Sequence, residues 1–218
     1  MTVDFQALRV KMVDGQIRTT DVTDTAILTA MLEVAREAFV PAELKPLAYM
    51  DEDIALGGGR FLMRPSPFAR LVQLCGVRAG DLVLDVGCGR GYSSAILARV
   101  AGFVVGLESD AALAAEATRA LAEAGCDNVS VIEGALAGGH AAQAPYDAIV
   151  IEGAVDAVPP ALFDQLKEGG RLVAVVGEGN SGRATVWVKD EGLVSPRVAF
   201  NAAVPMLDAF RREPAFVF

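Results

Sequence analysis

A single histidine, His140, and three scattered cysteines leave this 218-residue chain short of the side chains that most often do acid–base, nucleophilic or metal chemistry. One histidine gives little material for a Ser-His-Asp triad or a multi-histidine metal site, and no metal is expected. His140 lies in "GALAGGHAAQAP", a flexible-looking stretch, and reads as an incidental surface residue. Cys75, Cys88 and Cys126 are odd in number and far apart. They suit a reducing, cytoplasmic setting better than a disulfide framework. No apolar run reaches the roughly 20 residues of a spanning helix. The opening "MTVDFQALRVKMVDGQ" lacks the apolar segment and small-residue cleavage site of a secretory signal. Basic residues are the minority sign: 19 Lys and Arg against 28 Asp and Glu give a formal charge of -9. That balance argues against a nonspecific nucleic-acid or anionic-membrane binder.

What the chain has in plenty is apolar and small. It is 53% hydrophobic and 22% charged, with 22 glycines, the composition of a globular protein. Its length allows one α/β domain with roughly forty to eighty residues over for an extension. Residues 1–75 have a helical texture: "DTAILTAMLEVAREAF" repeats apolar positions at helical spacing, with Asp21 or Thr23 as candidate caps. A loop centred on Gly57-Gly58-Gly59 follows, then an amphipathic helix starting near Pro65. From residue 76 onward apolar runs alternate with helical patterns. Strands are expected at 82–86, 103–108, 129–133, 148–152 and 171–176, with helices at 92–100, 110–124 and 160–166. The segment after Gly177 reads as hairpin material. The pattern predicts an α/β, Rossmann-like, doubly wound and mostly parallel sheet, with an N-terminal helical extension (1–75) and C-terminal antiparallel strands on the core (76–218).

The most informative stretch is "LVLDVGCGRGYSS", residues 82–94. A short β-branched run ends in Asp85, and Gly87, Gly89 and Gly91 then alternate before a helix begins. Glycines there permit backbone angles and close approaches that any Cβ would hinder. Strand, glycine turn and helix are how parallel sheets hold nucleotide-like groups. A nicotinamide dinucleotide is the simplest candidate, because Glu108 ends the next strand about 20 residues on, where an acid can hold a ribose diol. Tyr92 argues against it: the dinucleotide turn wants glycine or alanine there, and a large ring should hinder close helix–sheet packing. A Walker-type phosphate loop is excluded by the missing Gly-Lys-Ser/Thr ending. A cationic, phosphate-free ligand fits better. Asp85 would balance an ammonium, Glu108 would take two ribose hydroxyls, and Glu133 leads into Gly134-Ala135, which would border an adenine. Cys88 is expected as a small filler beside the ligand. S-adenosylmethionine supplies all these parts.

Longer segments carry a resemblance. "LDVGCGRGYSSAILA", "VVGLE", "NVSVIEG" and "YDAIVIEGAVDAVPPALFDQLKEGGRLVAVVG" resemble the class I S-adenosylmethionine-dependent methyltransferase core. "MVDGQIR", "REAFVP" and "AYMDEDIAL" bring it closer to the protein-L-isoaspartate O-methyltransferase family. The resemblance implies S-adenosyl-L-methionine as cofactor, held by Asp85, Gly87, Cys88, Gly89, Gly91, Glu108, Gly134 and Ala135. It implies methylation of a damaged-aspartate carboxylate in an isoaspartyl protein or peptide, as a step of protein repair. One segment departs from the family. Its usual Gly-Gln-Thr-Ile-Ser-Gln-Pro is here Gly59-Arg60-Phe61-Leu62-Met63-Arg64-Pro65, so Met63 stands where the family's serine meets the substrate. Met63 donates no hydrogen bond. Arg60 and Arg64 are expected to face solvent, with attraction of a carboxylate as the alternative. Ala135 replaces an aspartate, and Glu152 replaces a small or hydroxyl residue. Arg60, Met63, Arg64 and Glu152 are therefore the substrate-side candidates. Two further readings stand beside repair: a changed acceptor, such as a small molecule, and a noncatalytic cofactor-binding protein. The oligomeric state is open.

Overall fold

The computed structural model describes residues 3–212. The expected strands form the parallel part of a seven-stranded sheet: β3 (Leu82–Val86), β4 (Phe103–Glu108), β5 (Val129–Glu133), β6 (Tyr146–Val155) and β7 (Leu166–Val176). The antiparallel β8 (Arg183–Asp190) and β9 (Leu193–Asn201) complete it in the order β5-β4-β3-β6-β7-β8-β9. The chain winds outward from β3 through β4 and β5, then returns to lay β6 along the other side of β3. That reversal is a topological switch point, the place beyond the carboxyl ends of the strands where open parallel sheets take their ligands.

Both faces of the sheet are covered, which is why its strands read as continuous apolar runs. Val83, Ala148 and Val150 share one core with residues of α2 (Thr25–Glu33), α3 (Pro65–Cys75), α4 (Tyr92–Val100) and α5 (Ala111–Glu123). Leu84, Val86, Ile149 and Ile151 pack on the other side against Leu136, Leu207, Phe210 and Leu162 of α6 (Pro160–Asp164). The N-terminal helices, from α1 (Phe5–Met12) onward, thus share a core with the sheet. Among the described residues no helix is long and apolar enough to cross a membrane.

Several local expectations are corrected. The helix expected across "DTAILTAMLEVAREAF" stops at Glu33; Val34 is extended, and only a 3-10 turn, Arg36–Phe39, follows. Its cap is Asp24, whose side chain accepts from the Ala26 and Ile27 amides at 2.8 and 3.3 Å. Asp21 and Thr23 are taken by Gln73, which donates to the Asp21 carbonyl and accepts from the Thr23 amide. The Gly57-Gly58-Gly59 loop is the turn of an antiparallel hairpin, β1 (Ile54–Gly57) with β2 (Arg60–Leu62). Strands β6 and β7 are longer than expected, and α6 ends at Asp164 because Leu166 already pairs with Tyr146. The stretch around His140 is clipped to the fold: the His140 amide donates to Gln165 Oε1 at 2.8 Å, and Gln165 Nε2 donates to the Gly138 carbonyl.

Candidate active site

The glycine turn sits at the switch point, and each glycine answers a different neighbour. Gly87, Gly89 and Gly91 have φ of 83°, 56° and 92°, the left-handed region where a side chain is strained. A Cβ on Gly91 would lie 3.0 Å from Leu121 of α5, and one on Gly89 would lie 2.8 Å from Leu56 of β1. Tyr92 does not wedge α4 off the sheet as its size suggested. Its ring is buried in the N-terminal extension, 5.8 Å from Phe39, 5.9 Å from Phe68 and 4.8 Å from the Arg36 guanidinium. The steric case against a dinucleotide therefore does not hold at this position.

Three acids converge on the switch point. Asp85 is fully buried and accepts from two hydroxyls of the first turn of α4, Ser93 at 2.7 Å and Ser94 at 2.5 Å, both on Oδ2. Its Oδ1 has no partner. Burial pushes its pKa up to about 6; the two serines oppose the rise and the Glu108 charge adds to it. Glu152 lies just past the β6 segment that pairs with β3, on the face of Val150, the partner of Asp85. It is 8% exposed and its Oε1 is also unpartnered. Burial first, then the charge of Asp85, raises its pKa well above the usual range, against the pull of Arg36. Glu108 ends β4 with no exposure and is held by the amides of Gly89 (3.0 Å), Ser109 (2.7 Å) and Asp110 (3.0 Å). Cys88 fills the space over Gly106, where an added Cβ would lie 3.2 Å from its sulfur. Burial, with Asp85 and Glu108 nearby, raises its thiol pKa well above normal. Gly134 and Ala135 follow Glu133 at the end of β5, with Ala135 exposed.

The substrate-side candidates separate. Arg60 is not solvent-facing: it is 7% exposed, and its Nε donates to Glu108 Oε1 at 3.0 Å. Arg64 is half-buried; its guanidinium donates to the Ala203 carbonyl and its amide to Asp53. Met63 is buried beside Glu152 in a cavity of about 10 Å³, about the size of one water, which Gly59, Phe61 and Pro205 to Leu207 complete.

Four contributors escaped the sequence. Ser93 and Ser94 were readable as a pair of hydroxyls after the turn. Arg36, unremarked within the stretch read as helix, is fully buried and donates to the Ala48 and Met63 carbonyls at 2.7 and 2.8 Å. The segment Pro205 to Leu207 carried no local signal beyond its apolarity. It bonds to Ala154 on both sides, and Leu207 lies over Gly87 and Gly153. A methyl at residue 153 would stand 2.6 Å from Leu207 and 3.0 Å from the Pro205 carbonyl. Gly153→Ala is therefore expected to cost about 1–3 kcal/mol, read as a lower urea midpoint with unchanged slope.

The sequence profile of protein-L-isoaspartate(D-aspartate) O-methyltransferase matches residues 8–208. The chain belongs to that family. It is 40% identical over 182 residues to protein-L-isoaspartate O-methyltransferase 1 of Rhodopseudomonas palustris, covering 84% of this chain and 74% of the relative. It is 39% identical over 186 residues to the protein-L-isoaspartate O-methyltransferase of Methanoculleus marisnigri, covering 85% and 84%. A solved protein-L-isoaspartate O-methyltransferase superposes with a TM-score of 0.77 at 27% identity, over 91% of this chain and 65% of that one. A Plasmodium falciparum protein of the same description, solved with S-adenosyl-L-homocysteine, shares the fold: TM-score 0.78 at 20% identity, over 95% of this chain and 100% of that one. Family membership makes the chain a methyltransferase of the class I fold, the Rossmann-like sheet expected from its strand and helix pattern.

Proposed function

We propose that this family member transfers the methyl group of S-adenosylmethionine to the side-chain carboxylate of an isoaspartyl residue in a protein or peptide. The observation that carries the proposal is the set Asp85, Gly87, Gly89 and Glu108, gathered at the switch point of a chain that matches the family over residues 8–208. The donor set suits a cationic, phosphate-free ligand. Two buried carboxylate oxygens, one on Asp85 and one on Glu152, lack any hydrogen-bond donor. An ammonium would donate to them and a sulfonium would balance their charge, whereas a pyrophosphate would be repelled by them.

Bound there, S-adenosylmethionine supplies a methyl group on positively charged sulfur. The chain's residues do the rest by holding and shielding. Asp85 and Glu152 would face the cation, Glu108 would hold the ribose, and Gly134-Ala135 would border the adenine. Phe61, Met63 and Pro205 to Leu207 keep water from the reacting end. A carboxylate acceptor is already ionised at neutral pH, so no general base is required and one histidine is no obstacle. Arg60 and Arg64 belong to the segment where the family's serine is replaced by Met63, and Arg36 donates to the Met63 carbonyl. Residues 1–75 act as the substrate-side extension and 76–218 as the cofactor-binding core. We place the protein in the cytoplasm, where its buried, unpaired Cys75, Cys88 and Cys126 remain thiols.

Labelled methyl groups are expected in an isoaspartyl peptide and not in its aspartyl counterpart. No selective incorporation at verified cofactor saturation would reject repair. Glu152 favours a second reading, a small cationic or hydroxylic acceptor, because this acid with a buried unpartnered oxygen lines the cavity beside Phe61 and Met63. Incorporation confined to amine or alcohol metabolites in the same assay would select it. Turnover of either kind removes a purely noncatalytic role.

A further inference from the structure

The acid that should hold the ribose already has an occupant. Gly57, Gly58 and Gly59 all have positive φ, and their tight turn brings β2 back with Arg60 inward and Phe61 outward. Arg60 Nε lies 3.0 and 3.3 Å from the two oxygens of Glu108, and its Nη2 donates to Ser109 Oγ at 2.6 Å. With the Gly89, Ser109 and Asp110 amides, these contacts use the roughly four lone-pair sites of a carboxylate. No acceptor is left for two ribose hydroxyls. The hairpin is seated at two further points. Leu56 covers Gly89, and a Cβ on Gly58 would lie 2.8 Å from the Asp110 carboxylate that caps α5.

We propose that Arg60 is an internal competitor for the nucleoside. The hairpin Ile54–Leu62 carries the guanidinium onto Glu108 and has to swing away before a sugar takes its place. This rests on the reading that an adenosyl group binds at the glycine turn. The two states differ by one exchange on the same carboxylate: ribose O–H takes the place of the Arg60 Nε–H that both oxygens now share. Apparent affinity is then the intrinsic affinity reduced by the fraction of molecules with the hairpin open. The cofactor therefore binds this chain more weakly than its donor set allows.

The test is calorimetric titration of S-adenosylhomocysteine into the wild type, Arg60→Ala and Arg60→Gln, with thermal unfolding of each free protein. The two variants are expected to melt lower, having lost a buried ion pair, and to bind at least tenfold tighter. In stopped flow, the wild-type rate should level off with ligand concentration, while Arg60→Ala should rise linearly. An arginine that only supports the fold would lower stability and affinity together. Should Arg60→Ala fail to fold, Arg60→Gln, which keeps a polar side chain without the charge, decides the sign. Equal or weaker binding by the variants overturns the competitor and leaves the cofactor reading standing. No binding by wild type or variants overturns both.

Discussion

Glu108→Gln is expected to weaken S-adenosylhomocysteine binding by a hundredfold or more and to destabilise the free protein in the same stroke. The binding loss follows from two hydrogen bonds to a charged acceptor, each about 1.5–3 kcal/mol, against about 1.4 kcal/mol per decade of affinity. The stability loss has another origin. Glu108 is wholly buried and is the counter-charge of a nearly buried arginine. Removing one member of such a pair costs about 3–5 kcal/mol, a large part of the about 5–15 kcal/mol that holds a domain together. A glutamine also turns an N–H₂ toward amides that need an acceptor. The two effects separate in a double variant. Glu108→Gln with Arg60→Gln removes both charges, so it should melt above Glu108→Gln alone while remaining just as poor a binder. Equal affinity of Glu108→Gln and wild type would sink the ribose assignment. Restored affinity in the double variant would place the ribose on some other group.

The same pair shows what a sequence reveals and what it hides. Leu82–Val86 and its glycines are legible because a buried parallel strand is an apolar run, and three glycines in alternation answer a backbone of positive φ, with close approaches at Gly89 and Gly91. Glu108 is legible because strand length places it at a carboxyl end. Its partner is not. Arg60 lies 48 residues away and meets Glu108 only because a glycine-rich stretch, taken for a loop, is a hairpin turn. Arg36 is hidden for a related reason: the carbonyls that hold it, Ala48 and Met63, are 12 and 27 residues away. Leu207 is further still, reaching Gly87 and Gly153 from beyond the terminal hairpin. Local pattern encodes elements and strand ends. Which distant segment closes over a strand end depends on packing that no short window contains. The substitutions around Met63 alter that cover while the turn beneath keeps its family form, so cofactor recognition was the more readable half of the site.

Glu152→Gln is expected to stabilise the ligand-free protein at pH 8 and to leave it unchanged near pH 4. Asp85 and Glu152 are both buried, and each raises the cost of the other's charge. Asp85 ionises first, because Ser93 and Ser94 donate to its carboxylate while Oε1 of Glu152 has no donor. In the unfolded chain both acids lose their protons near pH 4; in the folded chain Asp85 holds its proton to about pH 6, and burial with the Asp85 charge raises Glu152 well above its usual range. Between those values the native state binds more protons than the unfolded state, so stability present at low pH is lost as pH rises through the folded pKa values. The wild type should therefore melt higher at pH 5 than at pH 8, and Glu152→Gln should flatten that slope by removing one of the two titrations. A cation settling between the acids reverses the preference, since it favours the ionised pair. S-adenosylmethionine binding should accordingly release protons below pH 7, measured as calorimetric heats that differ between buffers of unlike ionisation enthalpy, and should release fewer in Glu152→Gln. A steeper pH slope in the variant, or heats independent of buffer, would mean that these two carboxylates do not face the ligand.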